Sequence, residues 1–165
     1  MILSLWYWLI ALIVLQRLVE LSISQINTMR LLSQGGIEFG AGHYPVMVAL
    51  HVAWLVSLAV FVETNAALSA SWFVVFLALQ AGRVWVITSL GRRWTTRVIV
   101  VPGAPLVTRG PYRWLRHPNY IIVVAEIAVV PLIAGAWEIA LAFSLANAIL
   151  LWRRIRVENA ALAQV

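Results

Sequence analysis

Long apolar runs are the feature that most constrains what this chain can fold into. A helix needs about 20 consecutive apolar residues to cross the hydrocarbon core of a bilayer, and only helices and closed barrels satisfy their backbone hydrogen bonds there. The sequence therefore predicts an all-α, polytopic membrane protein with about five transmembrane helices. The runs that predict them cover residues 2–22, 44–62, 68–90, 118–136 and 139–152.

The composition supports this class and excludes others. Of the 165 residues, 63% are hydrophobic and 11% are charged, whereas about 45–50% of a soluble domain is apolar. The chain has no cysteine, so disulfides and thiolate chemistry are excluded. His43, His51 and His117 are too widely spaced to predict a metal site, and no nucleic-acid-binding motif is present. We expect one integral membrane domain over residues 1–165, without a metal or a nucleic-acid partner.

Positive charge is concentrated in one connection between two apolar runs. The net charge of +6 comes from arginine alone, because the sequence has neither lysine nor aspartate. Six of the 12 arginines lie in residues 91–117, whereas the turns at 63–67 and 135–138 each hold an acid and no arginine. Cytoplasmic loops of membrane proteins carry an excess of positive charge. The polar residues 23–43, with Arg30, are expected to form a further loop. The pattern predicts that this loop, residues 91–117 and the C-terminus face the cytoplasm and that the N-terminus lies outside.

The end of this basic connection holds the first candidate site residues. His117 and Tyr120 are three residues apart at the start of an apolar run, so they share one helix face, and Pro118 suits the first helical position. Taken alone, this pair fits interfacial anchoring as well as it fits a binding site. Arg113 and Arg116 add cationic donors to a helix N-terminus that already favours anions. These neighbours favour a site for a cofactor that bears a carboxylate.

A second candidate array lies on the last apolar run and its charged tail. Asn147, Leu151, Arg154 and Glu158 are spaced by four, three and four residues, which places them on one helix face. An exposed Arg154–Glu158 pair would be worth only a few tenths of a kcal/mol, about 0.2–0.5. However, polar groups at membrane depth, such as Asn147, usually face a cavity or a partner. The pattern therefore favours a functional stripe.

Charged residues also occur inside the apolar runs. Placing an unpaired charge at the centre of a bilayer costs at least about 2.5–3.5 kcal/mol, so Arg83 and Glu126 each need a partner or water. One interpretation is that they pair with each other between the third and fourth runs. Arg17 and Glu20, three residues apart near the end of the first run, are expected to pair in the same way.

The segment LVTRGPYRWLRHPNY at 106–120, followed by an apolar hairpin and then RIRVE at 154–158, resembles the isoprenylcysteine carboxyl methyltransferase family. These membrane enzymes use S-adenosylmethionine. Further segments resemble a short bacterial branch, which includes O-methyltransferases acting on alkylpyrones and alkylresorcinols made by type III polyketide synthases. Those segments are Arg17–Glu20, Gly36–Glu38, Gly42–Pro45 with His51, and Arg93–Arg97.

The resemblance implies a cofactor pocket within residues 91–165, between the last two spans, with Arg154 and Glu158 as catalytic residues where cofactor and methyl acceptor meet. Asn159 follows Glu158 where the family often has a second acid. Independently of the resemblance, Trp114 in the basic connection and the intramembrane polar residues Glu126 and Asn147 are candidates for roles around the methyl acceptor. The candidate cofactor-binding residues are Leu106, Val107, Tyr112, Arg113, Arg116, His117, Pro118, Asn119 and Tyr120.

These observations predict an S-adenosylmethionine-dependent O-methyltransferase in the bacterial cytoplasmic membrane, with its active site facing the cytoplasm. The expected acceptor is lipophilic, either an alkylpyrone, an alkylresorcinol or a similar phenolic lipid, and a type III polyketide synthase would supply it. Glu158 is the candidate base for a phenolic hydroxyl, whereas an ionised acceptor needs none. The alternatives are a prenylcysteine-type carboxyl methyltransferase, a phospholipid N-methyltransferase, and a non-catalytic membrane scaffold.

Overall fold

Five α-helices make up most of the computed structural model, which describes residues 4–63 and 65–162. A small antiparallel sheet pairs strand β1 (Ile37–Phe39) with strand β2 (Val98–Val100). The all-α class is confirmed, although the sequence pattern did not predict the two short strands. The helices are α1 (Leu5–Ser33), α2 (Tyr44–Phe61), α3 (Ala70–Leu90), α4 (Pro118–Ile133) and α5 (Trp137–Leu162).

The outer faces of the helices are apolar. Among the described residues, α1, α2 and α3 are each long and apolar enough to cross a membrane, and α4 is apolar but shorter. Large hydrophobic side chains such as Phe61, Val84 and Ile149 are exposed on these faces, far beyond what a soluble surface carries in one contiguous area. The chain is therefore a membrane protein with membrane-capable helices.

Helix α1 is longer than the sequence pattern predicted. The polar residues after position 22 were expected to form a loop, but the helix continues to Ser33. Ser24, Asn27, Thr28 and Leu31 lie on one buried face, and the Asn27 side chain donates a hydrogen bond of 2.8 Å to the Trp94 carbonyl. This face packs against protein rather than lipid, so Ser24 and Asn27 find hydrogen-bond partners there without ending the helix.

The apolar core lies at the end of the bundle that contains the start of α1. Trp6 and Ile13 of α1 pack with Trp54 and Leu58 of α2 and with Ile133 of α4. The Trp6 indole also donates a hydrogen bond of 3.1 Å to the Leu58 carbonyl. Lipid tails are as apolar as these side chains, so close packing rather than exclusion from water holds the helices together here.

An interior charge cluster, made of Arg17, Glu20, Arg83 and Glu126, connects α1, α3 and α4. Arg83 Nε donates to Glu126 Oε1 at 3.0 Å, a second Arg83 nitrogen donates to Oε2, and both residues are only 3% exposed. Arg17 contacts Glu126 at 2.5 Å and Glu20 at 2.6 Å. The predicted Arg83–Glu126 and Arg17–Glu20 pairs are therefore confirmed, and two positive charges balance two negative ones.

The same contacts correct the expectation for Glu126. A role for this residue around the methyl acceptor was expected, but both of its carboxylate oxygens are occupied within the cluster. Oε1 also accepts a hydrogen bond of 2.6 Å from Gln80. A carboxylate held by two guanidinium groups and an amide has no oxygen left for a ligand, so Glu126 stabilises the packing of the helices.

Removing one member of the cluster is expected to destabilise the fold strongly. Arg83→Leu leaves one buried carboxylate unbalanced, which costs about 3–5 kcal/mol, whereas Arg83→Leu combined with Glu126→Leu keeps the remaining Arg17–Glu20 pair neutral and recovers most of this loss. Reversible unfolding in bicelles measures both variants. Arg92→Leu, at an exposed arginine, is the control, and equal stability of Arg83→Leu and this control would contradict the account.

Candidate active site

A cavity of about 660 Å³ opens at the end of the bundle where α4 begins and α5 ends. Strand β2 forms one wall, the segment 101–108 covers it, and residues of α4 and α5 form the opposite wall. Cavities of about 300–1,000 Å³ are typical of small-molecule and cofactor sites. Leu31 and Leu90 also line the cavity, so the wall extends beyond the predicted 91–165 region into α1 and α3.

The start of α4 directs two aromatic side chains at this cavity. Pro118 occupies the first turn of the helix, and His117 precedes it as the N-cap. The rings of His117 and Tyr120 stack with their centroids 5.3 Å apart, as their spacing of three residues requires. Both side chains line the cavity.

The Tyr120 hydroxyl connects α4 to two charged side chains of α5. It accepts a hydrogen bond of 2.7 Å from Arg154 Nε and donates one to Glu158 Oε2. His117 Nδ1 lies 3.5 Å from the other carboxylate oxygen, Oε1. The structure thus brings four of the predicted site residues into one connected group, named here the Tyr120 group: His117, Tyr120, Arg154 and Glu158.

Asn159 completes the environment of His117. Its side-chain oxygen lies 3.0 Å from His117 Nε2, so each ring nitrogen faces an oxygen acceptor, an arrangement that suits the doubly protonated ring. The hydrogen bond with Glu158 raises the pKa of His117, and burial only partly offsets it. Asn159, which departs from the family pattern, therefore takes part in the site as a neutral hydrogen-bond partner.

Glu158 is held in its ionised form. Burial alone would raise its pKa, but hydrogen bonds from His117 and Tyr120, together with the charges of His117 and Arg154, lower the pKa of this carboxyl below its usual range. A carboxylate whose two oxygens are already engaged is a weak proton acceptor. The geometry favours an electrostatic and orienting role for Glu158 over the base role that the sequence suggested.

Arg154 is fixed from three directions. Besides its contact with Tyr120, it donates hydrogen bonds to the Thr96 carbonyl at 2.6 Å and to the Met47 thioether at 3.0 Å. The sequence reasoning did not single out Thr96 or Met47 as site residues. The one available signal was that Thr96 lies within the Arg93–Arg97 segment of the family resemblance.

The segment 101–108 above the cavity and the turn that follows it contain most of the remaining predicted cofactor-binding residues. Arg93 donates a hydrogen bond to the Pro105 carbonyl, which holds the segment across the cavity. Burial, followed by the charge of Glu158, raises the pKa of Tyr112, so its hydroxyl stays a donor. The predicted residues of this segment, the adjoining turn and the first turn of α4 that line the cavity are Leu106, Val107, Tyr112, Arg116 and Asn119.

Several predicted site residues lie elsewhere. Trp114 is 68% exposed and packs against Trp85 at 6.1 Å, while the Arg113 guanidinium lies over the Trp114 ring at 5.7 Å. Pro118 is buried behind the wall, and Asn147 is buried deeper along α5. Neither these four residues nor Glu126 line the cavity. Trp94 of the basic connection lines it instead, and its indole nitrogen is buried without a hydrogen-bond partner among the described residues.

Together, the fold and the site define a membrane protein with a cavity, lined by charged side chains, at one end of a helical bundle. Residues 72–164 match the model of the isoprenylcysteine carboxyl methyltransferase (ICMT) family, and the chain belongs to that family. The predicted family is thereby confirmed, and the protein belongs to a group of membrane methyltransferases that use S-adenosylmethionine.

Two bacterial relatives match along nearly their whole length. The uncharacterized protein YpbQ of Bacillus subtilis is 40% identical over 163 residues, covering 96% of this chain and 97% of the relative. An uncharacterized protein of Haemophilus influenzae is 25% identical over 156 residues, covering 90% of each chain. No solved structure matches the chain at a significant level.

The residues around the cavity fit S-adenosylmethionine chemically. This cofactor combines a cationic sulfonium, a carboxylate, and an adenosine moiety with an aromatic ring and hydroxyl groups. The wall offers the anionic Glu158 for the cation and the exposed Arg116 for the carboxylate. The aromatic side chains of the buried Trp94 and the half-buried Tyr112 lie beside an apolar strand. The volume of about 660 Å³ is adequate for a molecule of this size.

The contact between His117 and Glu158 predicts a defined pH dependence of stability. Because the folded-state pKa of His117 lies above 6.5, the stabilisation is fully present below pH 6.5 and is lost as the pH rises through the raised value. Because the folded-state pKa of Glu158 lies below 4.5, its stabilisation is present above pH 4.5 and is lost as the pH falls through the lowered value. Melting temperatures of wild type and His117→Gln, measured across this range, should differ most between these limits. A pH-independent difference would contradict the assignment.

Proposed function

We propose that this protein is an S-adenosylmethionine-dependent O-methyltransferase acting on a lipophilic acceptor within the membrane. The observation that carries the proposal is the Tyr120 group, in which the Tyr120 hydroxyl of α4 joins the ionised side chains of Arg154 and Glu158 of α5 at a cofactor-sized cavity at the end of a membrane-capable bundle. Membership of the ICMT family supports the reaction class.

Bound S-adenosylmethionine would supply an electrophilic methyl group on a sulfonium. The chain has three tasks in such a displacement: binding the donor, aligning the acceptor oxygen and excluding water. Glu158, held in place by His117 and Tyr120, forms the anionic part of the wall for the cationic centre. Arg154 and the Tyr120 hydroxyl provide positive charge and a polar contact that orient the acceptor oxygen.

The acceptor is proposed to be ionised before it reaches the site. Glu158 already accepts hydrogen bonds, and His117 has both ring nitrogens engaged, so the Tyr120 group contains no free base for a neutral phenol. An acidic enol such as that of an alkylpyrone needs no base, whereas an alkylresorcinol hydroxyl does. Within the predicted phenolic lipids and pyrones, this favours the pyrone type. A prenylcysteine carboxylate would likewise need no base, but no observation favours it over the pyrone, and none favours the phospholipid amine or the non-catalytic scaffold.

A long alkyl tail fits the position of the cavity. The exposed side chains of Leu106 and Leu115 lie at its rim, so a tail can stay in lipid while the polar head enters from the membrane side. A type III polyketide synthase is the proposed supplier of such an acceptor, because it makes alkylated pyrones and resorcinols. Membrane lipids are then the second partner, as the medium through which the acceptor arrives.

All five helices are proposed to cross the cytoplasmic membrane of a bacterium, with the N-terminus outside and the cavity facing the cytoplasm. The arginines at the cavity, Arg93, Arg97, Arg116 and Arg154, gather at one end of the bundle, as the positive-inside rule requires of a cytoplasmic face. A green fluorescent protein fused at the C-terminus should fluoresce, and alkaline phosphatase inserted at residues 63–67 should be active. The opposite reporter pattern would overturn this topology.

The Tyr120→Phe variant, which lacks the hydroxyl, is expected to transfer methyl groups about 100-fold more slowly, the scale typical of removing one aligned polar donor at a reacting centre. The assay follows methyl-labelled S-adenosylmethionine in bicelles that contain a synthetic long-chain 4-hydroxyalkylpyrone, with the labelled product identified by its mass.

The matched control is Tyr7→Phe, since the Tyr7 hydroxyl contacts the Ala59 carbonyl at 3.4 Å at the far end of the bundle and should not affect turnover. Absence of label transfer by wild-type protein to the pyrone and to native lipid extracts would overturn the proposed function. Equal rates for Tyr120→Phe and Tyr7→Phe would overturn the assignment of the Tyr120 group.

A further inference from the structure

Three of the segments that resemble the short bacterial branch, Gly36–Glu38, Gly42–Pro45 and Arg93–Arg97, come together at one side of the cavity. Glu38 lies on β1, Tyr44 begins α2, and Thr96 and Arg97 precede β2. Ser24 of α1 lies against the same segment. The first half of the chain, most of which lies outside the residues 72–164 that match the family model, therefore contacts the segment that holds Arg154.

Ser24 of α1 holds Thr96 through hydrogen bonds. The Ser24 hydroxyl accepts a hydrogen bond of 2.8 Å from the Thr96 backbone N–H, and its oxygen lies 2.8 Å from the Thr96 hydroxyl oxygen. The Thr96 hydroxyl also donates to the Tyr44 hydroxyl at 3.3 Å. Ser24 is only 2% exposed, so water does not replace these contacts if the hydroxyl is removed.

Arg97 follows Thr96 in the chain and is itself held by Glu38 and Tyr44. Its guanidinium contacts both oxygens of Glu38, at 2.9 and 3.2 Å, and lies 4.6 Å from the centre of the Tyr44 ring. Strand pairing aligns Phe39 with Val98 immediately after it. A charge-assisted pair that is only partly exposed holds its geometry better than a surface pair.

The Thr96 carbonyl is the point at which these contacts reach the cavity. It accepts the hydrogen bond of 2.6 Å from Arg154 Nη2, while Arg154 Nε donates to Tyr120. Both contacts belong to one planar guanidinium, so a shift of the carbonyl changes the angle at which Arg154 meets the Tyr120 hydroxyl. Misplacement of a catalytic group by about 1 Å can cost about 100-fold in rate.

We propose that Ser24, Glu38 and Arg97 are positioning residues that hold the Thr96 carbonyl and thereby set the orientation of Arg154 toward the methyl acceptor. This inference rests on the proposed function. It gives the N-terminal half of the chain a defined part in turnover. Helix α1 and strand β1 hold the Thr96 carbonyl in place, and this carbonyl holds the Arg154 guanidinium. The cofactor side of the cavity, at His117 and Tyr112, is left unchanged by these contacts.

The test compares Ser24→Ala with Ser22→Ala. Ser22 lies on the same helix and is exposed, and its hydroxyl bonds only the Leu18 carbonyl of its own helix among the described contacts. Turnover of the long-chain 4-hydroxyalkylpyrone is measured together with the affinity for S-adenosylhomocysteine by calorimetry. Ser24→Ala should lower kcat at least about tenfold with the S-adenosylhomocysteine affinity within about twofold of wild type, and Ser22→Ala should match wild type in both.

A second pair of variants tests the Glu38–Arg97 contact. Glu38→Arg should lower kcat, and combining it with Arg97→Glu should recover a large part of the loss, because the reversed pair restores the attraction across the strands. A merely structural role predicts parallel loss of kcat and of S-adenosylhomocysteine affinity instead.

The outcomes are distinguishable. If the wild-type protein turns over and Ser24→Ala has the same kcat, the positioning inference is overturned and the proposed function stands. Equal losses of kcat and cofactor affinity in Ser24→Ala also overturn it. Absence of turnover in wild-type protein overturns the proposed function and this inference with it.

Discussion

The pairing of Arg83 with Glu126 is the interaction on which the rest of the structure depends. Neither charge is tolerated alone in the apolar interior of a membrane bundle, so α3 and α4 must meet with these side chains opposed. Ile122 lies one turn before Glu126 and packs against Val86 of α3, so one face of α4 packs against α3. The other side of α4 is then available to α5, and Tyr120 is directed there, toward Arg154 and Glu158.

The Tyr120 group follows from that arrangement. Two helices approach at one end of the bundle, and a hydroxyl between them joins a guanidinium to a carboxylate. Because the charges satisfy one another, the group keeps its geometry at a boundary between lipid and water. Such pairing makes Glu158 a poor base, which is why the proposed acceptor is an oxygen that is ionised before it binds.

Sequence patterns predicted those parts of the molecule that one strong physical constraint determines. The cost of a charge in lipid predicted the Arg83–Glu126 pair, and helical periodicity predicted that Asn147, Leu151 and Arg154 share one face of α5, which is buried. The motif resemblance singled out His117, Tyr120 and Glu158, which the structure joins. These predictions required no knowledge of how distant segments pack.

Predictions that depended on distant packing were wrong or were not made. The polar residues after position 22 looked like a loop, because only the packing of α1 on residues 91–100 shows why Ser24 and Asn27 belong to a helix. The three-residue strands are too short for alternation to be recognised, so the anchor at Thr96 was not predicted. Trp94 and Trp114 each follow an arginine in the basic connection, yet Trp94 is buried at the cavity and Trp114 is exposed.

Photo-crosslinking with an azido-adenosine analogue of S-adenosylmethionine, followed by mass spectrometry of the peptides, tests the central claim most directly. The account predicts adducts confined to the cavity-lining residues, which are Leu31, Leu90 and members of the segments 93–120 and 154–162, and their loss when S-adenosylhomocysteine is added in excess. Adducts elsewhere in the chain, or labelling that S-adenosylhomocysteine does not displace, would contradict the assignment of the cavity as the cofactor site.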